Sequence, residues 1–234
     1  MDLYSYTTKY KMKKISYFIL TLTSVFCLTC MRAKDTDTHT NLLFEKYLLA
    51  FEKQKLPFKM DRNAVFEMVN NSDVFFEIKD SLILFLPDDL INNQPNSKFR
   101  GMYLLPEYAD IILVLVFQEF INEYDTRVVK NYLISHDKTG LVIDYQELAG
   151  VVIDVWEAHL EIFTDFTVNR RLYQYRMNNS KNEIEMMYAS LLESFYEYSV
   201  SKTGLIEETK RTAREGYFES DLTGYSFVKP LKND

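Results

Sequence analysis

Two cysteines and three histidines are the residues of this chain best equipped for redox, metal or proton-transfer chemistry. Cys27 and Cys30 have C-x-x-C spacing, which serves thiol–disulfide exchange where it opens a helix after a strand. Here the pair closes an apolar run instead, so neither a redox nor a zinc role is expected of it. His136 beside Asp137, and His159 with Glu157 and Glu161, are combinations able to hold a metal or shuttle a proton. Neither fits the H-E-x-x-H zinc pattern, and polar residues at strand ends are as a rule solvated, which is the expectation for both. His39 falls in a polar stretch, and Asp154 with Glu157 is a carboxylate pair of the kind a charged chain forms by chance.

Ser135-His136-Asp137-Lys138-Thr139-Gly140-Leu141 is echoed by Ser199-Val200-Ser201-Lys202-Thr203-Gly204-Leu205, so that S-x-x-K-T-G-L occurs twice. Its S-x-x-K and K-T-G fragments are also found in serine β-lactamases and penicillin-binding proteins. There the serine and lysine lie one helical turn apart and far from the K-T-G strand. Here one lysine would serve both motifs, and Ser72-Asp73 is followed by Val74 rather than completing S-D-N. A structural reading is better. Each copy follows a tyrosine-bearing β-type run and precedes another, so each is a hairpin turn, with Gly140 and Gly204 where positive φ is needed. The nucleophile elbow, the P-loop and the dinucleotide fingerprint are absent, and no catalytic, cofactor-binding or metal-binding residue is expected.

The elements that must position these residues begin after a leader. Lys13-Lys14 precedes an apolar run from Ile15 to Leu28, too short for a finished helix to cross a bilayer but right for the core of a signal peptide. Residues 1–30 are read as that signal, with Met12 as the expected true start. Leu28-Thr29-Cys30 resembles a bacterial lipobox, which makes Cys30 the expected lipidation site; ordinary cleavage near Ala33 is the alternative. Multiple acyl chains on Cys30 would hold the protein on a membrane almost permanently. After Cys30 no cysteine remains, so the exported part carries no disulfide. Residues 31–40 read as a flexible tether. Asp35-x-Asp37 within it lacks the glycine and closing glutamate of a calcium loop.

Residues 1–29 carry four lysines and one aspartate, so their removal takes the formal charge from −7 to −10. An acidic domain is poorly suited to phosphate backbones or anionic lipid, which excludes nucleic acid and leaves membrane contact to the lipid on Cys30. Arg170, Arg171 and Arg176 alternate with Tyr173 and Tyr175, but Arg170 and Arg171 fall on opposite strand faces and are expected to be solvated.

A helix is predicted from Thr40, carrying Leu43, Tyr47, Ala50 and Phe51 on one face and ending before Pro57. Asn63–Asn70 is predicted to be helical, Asp73–Leu86 is ambiguous between helix and strand, and Asp88–Gly101 reads as a polar loop. Ile111–Phe117 is apolar at every position, as in a central strand covered on both faces. His159–Phe163 and Phe166–Arg176 read as strands joined near Thr164-Asp165, and Lys181–Glu193 as a short helix or a crossover. The aromatic content of 15% is the one compositional excess, and tyrosines such as Tyr103, Tyr108, Tyr124, Tyr132, Tyr145, Tyr173, Tyr175, Tyr188, Tyr196, Tyr198 and Tyr217 are candidates for an exposed binding face.

The leader, the segment Lys55-Leu56-Pro57-Phe58, the strand at Ile111 and the hairpin from Tyr132 to Asp144 together resemble a group of uncharacterised secreted lipoproteins of Bacteroidetes-type bacteria. The resemblance implies export and carries no catalytic residue. The expectation is one α+β domain over residues 41–234, a mainly antiparallel sheet of meander and hairpin connections with the N-terminal helix packed on it. It is expected to be a cell-envelope protein of the periplasm or outer membrane. No enzyme activity and no cofactor are expected; the role is to bind a protein or glycan partner. The alternatives are an immunity-type protein that neutralises a basic toxin, and a hydrolase whose site the sequence hides.

Overall fold

Runs of β-branched and aromatic residues separated by short turn sequences dictate a meander, and the structure, a computed structural model, describes it over residues 40–94, 96–152, 155–176, 189–221 and 223–231. The sheet lies within the unit Phe44–Asp234. Residues 40–48 form helix α1. The strands that follow are β1 (Glu52–Lys53), β2 (Phe58–Met60), β3 (Phe76–Ile78), β4 (Lys98–Leu104), β5 (Ile112–Ile121), β6 (Arg127–His136), β7 (Val142–Val152), β8 (Trp156–Ile162), β9 (Thr167–Tyr175), β10 (Ala189–Val200), β11 (Ile206–Ser220) and β12 (Tyr225–Pro230). From β4 to β12 each strand pairs antiparallel with the next; β1 joins β4 in parallel, β3 pairs with β4 and β2 with β8. The molecule is β-rich and its sheet mostly antiparallel.

Helix α2 (Arg62–Asn70) starts where Asp61 accepts a hydrogen bond from the Ala64 amide, and it buries Val65, Met68 and Val69. Asp73–Leu86 resolves into a 3-10 turn at Ser72–Val74, the short β3, and a second 3-10 stretch at Asp80–Phe85. The polar loop expected over Asp88–Gly101 is instead helix α3 (Asp88–Asn93) followed by β4. Two acidic residues in the first turn of α3 and the burial of Leu90 favour that helix. In β4, Phe99 and Met102 are buried, and Arg100 is buried beside them because Glu119 (2.8 Å) and Asp73 (3.0 Å) neutralise it.

Leu113, Val114, Leu115, Val116 and Phe117 of β5 have no exposed surface, so both faces of this strand are covered. On one face Leu113, Leu115 and Phe117 share a core with Leu133, Leu148, Ile162 and the α2 side chains. At the end of β6, the rings of Phe44, Tyr47 and Phe85 pack around His136.

One turn geometry recurs at four hairpins. In Asn122–Thr126, Asp137–Leu141, Phe163–Thr167 and Ser201–Leu205 the first amide donates to the fifth carbonyl and the fourth amide to the first carbonyl. The fourth residue carries positive φ: Asp125 56°, Gly140 91°, Phe166 62° and Gly204 90°. Side-chain oxygens of Asn122, Asp137 and Ser201 accept from the amides two and four residues on, which stabilises the turn from within. The S-x-x-K-T-G-L echo is therefore two copies of this turn. The two copies are also joined: the Ser135 hydroxyl lies 2.6 Å from the Gly204 carbonyl, and the Ile206 amide donates to Asp144 Oδ2 (2.8 Å). This brings the β10–β11 turn against the β6–β7 hairpin.

His136, expected to be solvated, is fully buried. Its Nε2 lies 2.8 Å from the Phe85 carbonyl, Nδ1 has no partner among the described residues, and burial pushes its pKa down to about 4. The second 3-10 stretch, which the sequence left ambiguous, is what brings Phe85 over it.

Two outcomes test this packing. A Cβ at Gly140 would lie 2.6 Å from Phe44 Cγ and 2.8 Å from Phe85 Cε1, so Gly140→Val should cost about 3 kcal/mol in urea unfolding, from positive-φ strain and overpacking together. His136 binds its proton more readily in the unfolded chain, where an imidazole keeps its ordinary pKa of 6.5, than in the folded one, where it is pushed down to about 4. Its contribution to stability is therefore complete above pH 6.5 and is lost as pH falls toward 4, by about 3 kcal/mol in all. His136→Gln should flatten that part of the pH profile; an unchanged slope would refute the assignment.

Candidate functional site

Alternation along β8 sends Ala158, Leu160 and Ile162 inward and Glu157, His159 and Glu161 to the opposite face. Register then fixes their neighbours. Tyr173 stands opposite Glu157, Arg171 opposite His159 and Asn169 opposite Glu161. Lys59 of β2 pairs with Glu161 from the other side.

The hairpin between β11 and β12 folds over this surface. At its tip the Asp221 side chain accepts from the amides of Thr223 (2.7 Å) and Gly224 (3.0 Å). Gly224 thereby reaches His159, where an added Cβ would lie only 3.4 Å from the ring Cε1 and 3.5 Å from Nδ1. Tyr225 follows, its ring 4.7 Å from that of Tyr173 and its hydroxyl paired with Tyr175. Arg62 at the start of α2 ties the parts together: its guanidinium lies 4.9 Å from the Tyr225 ring centre, its Nη1 donates to the Asp221 carbonyl (3.3 Å), and its Nε is 3.4 Å from Glu157 Oε1.

The result is a cleft of about 260 Å³ with a floor of His159, Glu161, Asn169, Arg171 and Tyr173. Lys59 and Asp61 form one wall, and Asp221, Thr223, Gly224, Tyr225 and Ser226 the other. Glu157, 1% exposed, lies behind the floor with its Oε1 3.0 Å from His159 Nε2 and its Oε2 without a partner among the described residues. With a carboxylate as acceptor, His159 donates from Nε2, and its Nδ1 faces Gly224. Burial, reinforced by the charge of Glu193, pushes the Tyr173 phenol up to about 12. Burial and the hydroxyl contact with Tyr175 push Tyr225 up as well, so both line the cleft as neutral phenols. The arrangement offers aromatic faces, hydrogen-bond donors and acceptors, and both signs of charge within one small volume.

Of the residues singled out from sequence, His159, Glu161 and Arg171 meet in the cleft, with Tyr173 on its floor and Tyr175 behind it. The expectation that His159 would be solvated fails because Gly224 lies against its ring and Tyr173 packs beside it. Arg170 is not solvated either; it is buried, with Nη2 donating to Glu147 (2.9 Å), whereas Arg171 faces the other way and is half-exposed. His136 is remote from the cleft, in its own aromatic pocket. Lys138 pairs with Asp110 (2.5 Å) while Ser135 serves the turn contact, so the β-lactamase-like fragments form no common site. Gly140 and Gly204 are turn residues. Cys30, Asp35, Asp37, His39, Asp154 and Tyr188 lie outside the described residues. Among the described residues there is no group of three or more metal-ligating side chains, and no helix long and apolar enough to cross a membrane.

Sequence reasoning missed Arg62, Gly224 and Tyr225. A signal existed: Thr223-Gly224 repeats the Thr-Gly of both hairpin turns, three residues after a capping oxygen is supplied by Asp221. No family model, no curated protein and no solved structure matches this chain.

Arg62 is the main counter-charge to a carboxylate taken out of water. Arg62→Met should cost about 2 kcal/mol in chemical unfolding, and much less when Glu157 is already Gln, because no buried charge is then stranded. Equal losses in both backgrounds would show that Arg62 acts through packing alone.

Proposed function

We propose that this is an exported cell-envelope protein, held on the membrane by lipid on Cys30, whose sheet domain binds a glycan without transforming it. The cleft over β8 and β9 is the observation that carries the binding reading. Sugars present apolar ring faces edged by hydroxyls, and they are well matched by Tyr225 beside Asn169, Arg171, Asp61 and Ser226. The Arg62–Glu157–His159 chain behind the floor fixes the orientation of the imidazole before any ligand arrives, which lowers the entropy lost on binding. The anchor reading rests on the leader and the lipobox-like Leu28-Thr29-Cys30. We also infer that α1 is the helix expected on the sheet, supported by the ring contacts of Phe44 and Tyr47 with His136.

One observation favours a second reading. A buried carboxylate orienting a histidine at the floor of a cleft is the pattern of a general base, so a hydrolase acting on the bound glycan would use Glu157 and His159. The immunity-type alternative gains less, since the surface next to the cleft carries Arg171, Arg214 and Lys210 and is ill suited to a basic partner.

Protein purified from the envelope of producing cells is to be screened on a glycan array, with Tyr225→Ala as the comparison. Binding that falls at least tenfold in the variant, with no shortened glycan recovered, is the expected result. Recovery of cleaved glycan that depends on His159 would favour the hydrolase. Folded protein that retains no glycan would remove the binding reading. In the same cells Cys30→Ser should abolish incorporation of labelled palmitate and release the protein from membranes.

A further inference from the structure

The cleft does not end at Arg171. That side chain also lines a shallower hollow of about 370 Å³ formed with Glu193, Phe195, Thr212 and Arg214. Strand register makes the two continuous: His159 of β8 is opposite Arg171 of β9, Arg171 opposite Phe195 of β10, and Phe195 opposite Thr212 of β11. A line across these strands spans three interstrand spacings, about 14 Å, the reach of a short oligosaccharide rather than a single sugar.

The chemistry of the hollow differs from that of the cleft. Phe195 is half-buried, with the Arg171 guanidinium 5.7 Å and the Lys210 ammonium 6.0 Å from its ring centre. Arg214 of β11 stands opposite Glu193 and is ion-paired with it, and Glu193 also lies 3.8 Å from Arg171. Glu193 is buried and holds both guanidinium groups at the hollow, Arg171 against Phe195 and Arg214 against Phe227. Both arginines are half-exposed, with planar N–H forks suited to a carboxylate or sulfate. Arg171 and Lys210 flank the Phe195 ring, and Arg214, laid over Phe227 (4.6 Å), lines the same hollow, a gathering of cations in a chain of net charge −7.

We propose that the groove from His159 to Arg214 binds a linear acidic glycan laid across the strands, with a sugar ring on Phe195 and its anionic group between Arg171 and Arg214. This rests on the glycan reading of the cleft and adds the length and charge of the ligand.

Titration calorimetry on the full-length protein with oligogalacturonides, chondroitin sulfate oligomers and cello-oligosaccharides of one to four units tests both parts. Affinity should rise at least tenfold from monomer to trimer in one of the acidic series, exceed that for neutral oligomers of equal length at least tenfold, and fall as salt is added. The acidic series that binds identifies carboxylate or sulfate as the group recognised. In Phe195→Ala and in Arg214→Gln the tetramer should bind no better than the dimer; thermal melts report whether each variant is folded, and the Phe195 variant leaves the Glu193 ion pairs intact. Equal affinity for neutral and acidic oligomers, or no dependence on chain length, would overturn the groove while leaving the cleft. Absence of binding in all three series would overturn the cleft reading and the groove with it.

Discussion

The positive-φ residue at the fourth position of the hairpin turns is the constraint on which this molecule depends. A five-residue loop closed by two backbone hydrogen bonds admits one pairing register for the strands it joins, and that register decides which side chains share a face. Between β8 and β9 the turn Phe163–Thr167 sets His159 opposite Arg171 and Glu157 opposite Tyr173. A slip of one residue in β8 would carry Glu157 and His159 into the apolar core and push Leu160 out. Glycine fills the demanding position twice; elsewhere Asp125 and Phe166 accept it. Phe166 is held there because its ring packs on Tyr108 with centroids 4.3 Å apart and is buried in the main core. Core burial thus offsets backbone strain at that turn.

The same registers force charges inside, and each is matched. Arg100 lies between Glu119 and Asp73, and Arg127 adds a second cation to Glu119 at 2.6 Å. Burial works to raise the Glu119 pKa, but hydrogen bonds from Arg100 and Arg127 outweigh it and hold the carboxyl below its usual range. Glu147 bridges Lys130 (2.8 Å) and Arg170 (2.9 Å) in the same manner. The first network ties the consecutive strands β4, β5 and β6 together, and the second links β7 to β9, which is not its neighbour in sequence, so both favour this one arrangement of a long meander. Glu157 is the exception in degree: its Oε2 has no partner among the described residues, and such a residual demand is tolerated where it orients a neighbouring group.

How much of this was legible in the sequence follows from the range of the forces involved. Local signals were readable: the doubly apolar run at Ile111–Phe117, the glycines at 140 and 204, the junction near Thr164-Asp165, and the opposite faces of Arg170 and Arg171. Each depends on a period of two or on a single residue's φ. What failed depended on contacts distant in sequence. His136 gives no sign of burial until Phe85 arrives from a 3-10 stretch with no periodicity, and Arg170 reads as solvated until Glu147 is placed beside it. The cleft was illegible for the same reason: its floor is on β8 and β9, but its lid is Gly224 and Tyr225, beyond the intervening β10 and β11. Only the third Thr-Gly hinted that a further turn would reach back.

β11 shows how a sheet segment stays ordered without a core beneath it. Residues 207–215 are exposed in unbroken succession, which a strand covering apolar layers never shows. Its order comes from cross-strand pairing with β10 along its length and from cations laid on aromatic rings: Arg211 over Tyr196 at 4.9 Å, Arg214 over Phe227 at 4.6 Å, Lys210 over Phe195 at 6.0 Å. Such contacts contribute little each and leave the charged groups within reach of solvent. A strand stabilised this way keeps its charged groups at the surface while its backbone is held by its neighbours. The small core of Tyr173, Leu191 and Phe218 anchors the end of the ribbon and sets the position of Tyr225, whose ring lies 4.7 Å from that of Tyr173. The cleft, then, is held in shape from the apolar side by this small core and from the polar side by Arg62 and Glu157, with neither part depending on a ligand for its form.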